Sequence, residues 1–220
     1  MNSVLERVYA VCTNVRELNS NPISFKKLVS QTRSQFKLSQ FDLIIKTKKE
    51  KSLDSNEFYV NAYYDADDDS INETAIEVVV YHNFEDREQF SELQITDFLK
   101  EIFDAVVHEF KHKQQSMERN YHTYFPHNRN HYSEYLSDPD EVDAYAFSIA
   151  IELLRTLGRH RAQIYLTRIS ILSKVRQGPK LVSPNLHAYL QHFGLSILVK
   201  RLAKKVYKHL ETIDTRYIFV

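Results

Sequence analysis

Apolar residues recur at Ile95, Phe98, Leu99, Ile102 and Val106, at spacings of three and four that line one side of an α-helix. Residues 93–117 contain no Gly or Pro, so one uninterrupted helix is expected across them. Upstream the pattern changes period. Residues 57–64 and 75–81 are rich in β-branched and aromatic side chains and read as two strands joined by a polar turn, with a shorter strand at 41–47. Residues 4–18 and 25–36 read as helices, the second opened by Asn21-Pro22-Ile23-Ser24. A further apolar helix follows the long one, carrying Val142, Ala144, Tyr145, Phe147, Ile149, Ile151, Leu153 and Leu154. Helices are then expected at 159–177, 185–193 and 195–210, with a break at Gly178-Pro179, and residues 215–220 read as a final strand or a docking segment.

This pattern predicts an α+β chain in which a small N-terminal sheet layer packs on the long helix and a mostly helical part follows. Its 220 residues suit one domain, or a core over 1–152 with a helical extension over 153–220. With 43% apolar residues, three glycines and five prolines, the composition is that of a helix-rich globule and excludes a linker-bearing array. Cys12 is the one cysteine, which excludes an internal disulfide and fits a reducing compartment. The first residues lack the apolar core of a signal peptide, and no run approaches the roughly 20 apolar residues that cross a bilayer. A soluble, cytoplasmic protein without a membrane partner is expected.

A formal net charge of zero conceals an asymmetry. Residues 153–210 contain twelve Lys or Arg and no Asp or Glu, whereas residues 53–152 hold 23 acids against six bases. The last helix carries Lys200, Arg201, Lys204, Lys205 and Lys208 opposite Leu198, Leu202 and Val206. Two readings stand: the basic helices pack on the acidic part and the charges neutralise each other, or they form a patch for nucleic acid or an acidic protein partner. The patch lacks aromatic interleaving and a helix-turn-helix signature, so sequence-specific DNA reading is not expected.

The long helix also carries chemistry. Residues 108–112 read His-Glu-Phe-Lys-His, an HExxH string that places His108 and His112 one turn apart on one face, with Glu109 beside them. Such a string arises by accident in roughly a few per cent of shuffled chains this rich in histidine, so its setting on an amphipathic helix matters. Glu141 lies 29 residues beyond His112, at the start of the next apolar helix. It has a purely structural reading, since Asp138-Pro139-Asp140-Glu141 is what a helix start with a capping box looks like. It also has a chemical one. Two imidazoles and a carboxylate around Zn²⁺, with one position open to water, make up a hydrolytic zinc centre, although the same set accepts other first-row ions.

HExxH followed by E-x-x-A on the next core helix resembles the gluzincin branch of the zincin metallopeptidases, most of all the small ImmA/IrrE-type and phage-type members. The resemblance covers residues 97–154. It implies a zincin-like fold, His108, His112 and Glu141 as zinc ligands, Glu109 as general base and a peptide or protein substrate. Glu109 would take the proton of an activated water and pass it to the leaving amine. Such enzymes add a Tyr, His or Arg that steadies the oxyanion; candidates here are His131, Tyr132 and Tyr135, with His122 and His127 nearby. Tyr145 departs from the family pattern, standing where Asp or Asn is common, and Asp143 or Asp104 are substitutes for orienting a ligand histidine. Strand 75–81 is the expected substrate-side strand, holding an extended peptide at an exposed edge.

The acidic turn from Asp65 to Glu73 fails the calcium-loop template, because Ser70 replaces the turn glycine and Ile76 the twelfth-position Glu. A solvated acidic hairpin is expected there. Three functions are therefore in view: an active zinc metallopeptidase; a catalytically lapsed scaffold that binds nucleic acid or an acidic partner through its basic helices; and a structural protein whose HExxH is accidental.

Overall fold

The computed structural model describes all residues except 20–21, 56, 72–73, 86–87, 122–131 and 170–177, with the backbone alone at Ser70, Tyr132, Gly178 and Pro179. The chain is mixed α+β and mostly helical, with two small sheets among the described residues. It divides into two compact units, Met1–His122 with Phe219–Val220, and Thr123–Ile218.

In the first unit, α1 (Asn2–Leu18), β1 (Ile23–Ser24) and α2 (Phe25–Leu38) precede β2 (Ile44–Lys49) and β3 (Phe58–Tyr64). A short α3 (Ala66–Ser70), β4 (Ile76–His82), β5 (Gln89–Phe90) and the long α4 (Glu92–Glu118) follow. The three-stranded sheet has the order β2-β4-β3, with β4 parallel to β2 and antiparallel to β3. Strand β4 is thus central and not an exposed edge, which corrects its expected role as the substrate-side strand. Its alternate residues Ile76, Val78 and Val80 are fully buried, and both its backbone edges are taken by neighbours.

Helix α4 covers the expected residues 93–117 and one more at each end. The Ser91 hydroxyl accepts the Gln94 N–H, and the Gln94 side chain accepts the Ser91 N–H at 3.0 Å, a closed capping box. The predicted stripe of Ile95, Phe98, Leu99, Ile102 and Val106, joined by Phe103, is fully buried against α1 and the sheet. Each such side chain contributes about 2 kcal/mol by leaving water. Phe25, Phe58, Phe84, Phe90 and Phe98 form one aromatic cluster at the head of this helix, with Phe25–Phe98 centroids 6.2 Å apart.

The acidic hairpin is only in part solvated. Asp65 caps α3 by accepting the Asp67 N–H at 2.8 Å, and Asp69 is 8% exposed. Lys113 of α4 and the Tyr64 hydroxyl (2.8 Å) both donate to Asp69, so this acid ties the turn to the helix. The tail is a docking segment rather than a strand. Phe219 is fully buried in the first unit beside Phe103, with the Arg16 guanidinium 5.0 Å from its ring.

The second unit contains α5 (Tyr132–Ser137), α6 (Pro139–Leu157), α7 (Arg159–Thr167), α8 (Gly178–Val182), α9 (Pro184–Phe193), α10 (Ile197–Thr212) and a 3₁₀ turn at Thr215–Tyr217. Helix α6 is buried almost all round and packs most extensively on α10 through residues such as Ala144, Phe147, Leu202 and Val206. Helix α7 ends ten residues before the expected 177; residues 170–177 lie outside the described ones. Gly178-Pro179 opens a short helix rather than only breaking one. Gly158, between α6 and α7, has φ +70°, a backbone that L side chains rarely adopt, although nothing lies within 4 Å of a Cβ placed there. Glu152 fixes the start of α9, accepting from the Ser183 hydroxyl and from the Asn185 side-chain amide at 2.8 Å.

Among the described residues, no helix is long and apolar enough to cross a membrane.

Candidate metal centre

The four-residue separation of His108 and His112 on α4 stacks their rings one turn apart on the same face. Their centroids are 4.9 Å apart, with the planes at 73°, and the two Nε2 atoms approach to 3.2 Å. Two Zn–N bonds of about 2.05 Å at a tetrahedral angle span about 3.3 Å, so the pair has the separation that a shared zinc requires. Neighbouring Glu109 is 6% exposed. The Lys113–Asp69 ion pair further along α4 holds its cation against the α3 turn.

Glu141 lies in the first turn of α6 and is 9% exposed. The capping expected of Asp138 is present, its carboxylate accepting the Asp140 N–H at 2.7 Å with Pro139 at the first helical position. Glu141 has a different partner: the Tyr135 hydroxyl is hydrogen-bonded to the Glu141 carboxyl group and to Tyr145. Burial pushes the Tyr135 pKa far up, and the neighbouring Tyr145 and the Glu141 charge push it further, so Tyr135 stays a neutral donor. Tyr189 holds this arrangement from below in the chain, donating to the Leu136 carbonyl at 2.9 Å and setting its ring 5.4 Å from that of Tyr145.

Among the described residues, one group of three or more His, Cys, Asp or Glu side chains meets the requirements for holding a metal ion. It consists of His108, His112 and Glu141, each offering one ligand atom, all within 4.8 Å of one another. Two imidazole nitrogens and a carboxylate oxygen suit zinc by ligand type.

The other candidates fall differently. His122, His127 and His131 lie outside the described residues, as does the Tyr132 side chain, while Tyr135 is engaged with Glu141 and Tyr145. Asp143 accepts from Lys205 at 2.9 Å and has His209 Nε2 at 3.3 Å, so its charge serves α10. Asp104 is half-buried on α4, and its charge adds to the burial that raises the Cys12 thiol pKa. In the basic set, Lys205 alone meets an acid among the described residues; Lys200, Arg201, Lys204 and Lys208 are exposed.

Sequence reasoning missed the tyrosine network around Glu141. Its one available signal was Tyr145, which stands where the metallopeptidases that the motif resembles commonly carry Asp or Asn. The spacing of Tyr135 and Tyr189 carries no such signal, because their meeting depends on how α5, α6 and α9 pack.

Comparison of the chain with protein families, curated proteins and solved structures brings out no match to any of them.

Proposed function

We propose that this chain is a zinc-dependent metallopeptidase of the gluzincin type with a zincin-like core, cleaving a peptide bond in a peptide or protein substrate. The observation that carries the reading is the grouping of His108, His112 and Glu141 within reach of a single ion. The 3.2 Å approach of the imidazole nitrogens supports it, as does a small sheet preceding the histidine-bearing helix. The free, buried Cys12 fits a reducing compartment, and we assign the enzyme to the cytoplasm on that basis.

In this reading His108 and His112 supply neutral imidazole nitrogens and Glu141 one carboxylate oxygen. When bound, the zinc supplies Lewis-acid activation of a water and of the scissile carbonyl. Glu109, adjacent to His108 and withdrawn from bulk solvent, accepts the proton of the attacking water and delivers it to the departing amine. Tyr135 donates to Glu141 and so fixes which way that carboxylate turns, a positioning role rather than an oxyanion one.

The test is Glu109→Gln in the full chain, assayed on a mixed peptide library with zinc content measured in parallel. Zinc retained with hydrolysis lowered about 10²–10⁴-fold is the expected result. Undiminished hydrolysis in the variant, or no hydrolysis by the zinc-loaded wild type, contradicts the peptidase reading.

A further inference from the structure

The outer face of α10 is a row of cations without acids. Counting about 100° per residue, Lys200, Arg201, Lys204 and Lys208 fall within an arc of about 100°, and they span about 12 Å along the helix. All four are exposed, and among the described residues none of their side chains has an acidic partner. Lys205, just beyond the arc, turns instead to Asp143. Val199, Leu202, Val206 and Leu210 on the opposite side are fully buried. The neutralising role foreseen for the basic helices therefore accounts for Lys205 and leaves these four unexplained.

The occupant follows from what the face has and lacks. It is unsuited to lying in a membrane surface, because the apolar side that would insert is already sealed in the protein core. Protein partners bury clusters of aromatic and aliphatic anchors and disfavour lysine, whereas this arc sets three lysines beside just two such side chains, Ile197 (71% exposed) at its start and Tyr207 (41%) at its border. Single strands need a run of aromatic side chains to stack on, and one tyrosine is not a run. Three lysine point charges and one arginine fork, with no base-reading amide and a single tyrosine at the border, suit the phosphate backbone of a duplex.

We propose that the α10 face formed by Lys200, Arg201, Lys204 and Lys208 docks on the phosphate backbone of double-helical DNA, without reading its sequence. The inference rests on α10 alone and is independent of the metal.

The experiment is fluorescence anisotropy of the full chain on a random-sequence duplex over a range of salt, comparing wild type with a fourfold variant, Lys200→Gln, Arg201→Gln, Lys204→Gln and Lys208→Gln. Gln has nearly the helix propensity of Lys and Arg, and circular dichroism checks the fold. Four phosphate contacts predict a slope of log K against log salt of about −3.6 in the wild type, falling near zero in the variant. The control Lys26→Gln/Lys27→Gln, on the exposed side of α2, should bind like wild type. A wild type that ignores duplex DNA, a fourfold variant with an unchanged slope, or equal binding to polyglutamate, anionic vesicles or single strands overturns the proposal.

Discussion

The Nε2 atoms of His108 and His112 stand 3.2 Å apart on successive turns of α4. At that distance a neutral pair shares one hydrogen bond, one ring donating and the other accepting. The same separation serves two lone pairs turned to one cation. The two arrangements differ in what they ask of zinc. If both rings ligate it, zinc at 100 times its Kd adds about 2.7 kcal/mol of stability to the wild type, and EDTA removes that gain. Thermal melts should show this rise in wild type and its absence in His108→Ala and His112→Ala; a wild type whose melting is indifferent to zinc speaks for the hydrogen bond.

The Tyr135 hydroxyl is hydrogen-bonded to the Glu141 carboxyl group and to Tyr145, so it is the expected positioning residue for that carboxylate. Tyr135→Phe keeps the ring and removes the donor, so zinc affinity should fall about tenfold, at the low end for lost outer partners of a metal ligand. Tyr145→Phe should cost about 1 kcal/mol of stability, as for one internal hydrogen bond, with a smaller effect on zinc. Competition titrations against a zinc chelator and denaturant melts separate the two. Equal zinc affinity in Tyr135→Phe and wild type would remove the tyrosine from the account.

Asp69 is the acid that binds the α3 turn to α4, through Lys113 and the Tyr64 hydroxyl. Asp69→Ala leaves both donors without their shared acceptor and should destabilise the fold by about 2 kcal/mol. Asp67→Ala, at an exposed position in the same turn, should change stability by about 0.5 kcal/mol or less. Urea unfolding of both variants checks the contrast; equal effects would mean that the ion pair contributes little.

Much of the first unit was legible in the sequence because its signals are local. The apolar stripe of α4 and the β-branched run of β4 each report one element's own environment. The same signals are silent on neighbours. A β-branched run marks β4 as a strand but does not say which strands flank it, and β2 and β3 on either side leave it no free edge for the expected substrate role. Charge density misled in a similar way: the Asp65–Asp69 run looks solvated, yet a lysine 44 residues away reaches Asp69. The metal-ligand candidates were legible because HExxH encodes its own geometry on a helix. The tyrosines behind Glu141 were not, since each belongs to a different helix.

Glu101 gives a pH-dependent handle on the sheet. Although the residue is exposed, its carboxyl group accepts the Val60 N–H of β3 at 3.1 Å. Desolvation there raises its pKa to about 7, with Asp104 and Asp97 adding to the rise and the Val60 N–H and Lys100 opposing it. The folded value lies above the unfolded one, so the folded state binds the extra proton. The resulting stabilisation is complete below the ordinary glutamate range and is lost as pH rises through about 7. Glu101→Gln cannot lose a proton: its melting temperature should match wild type near pH 4 and exceed it at pH 8. A constant difference across that range would contradict the assignment.

Zinc bound per chain, measured by elemental analysis on purified wild type, His112→Ala and Glu141→Gln at matched zinc activity, tests the metal centre most directly. One zinc per wild-type chain, loss of the ion in His112→Ala and weakened binding in Glu141→Gln are expected. A wild type that takes up no zinc, or a Glu141→Gln chain that holds it as tightly as wild type, would contradict the proposed centre.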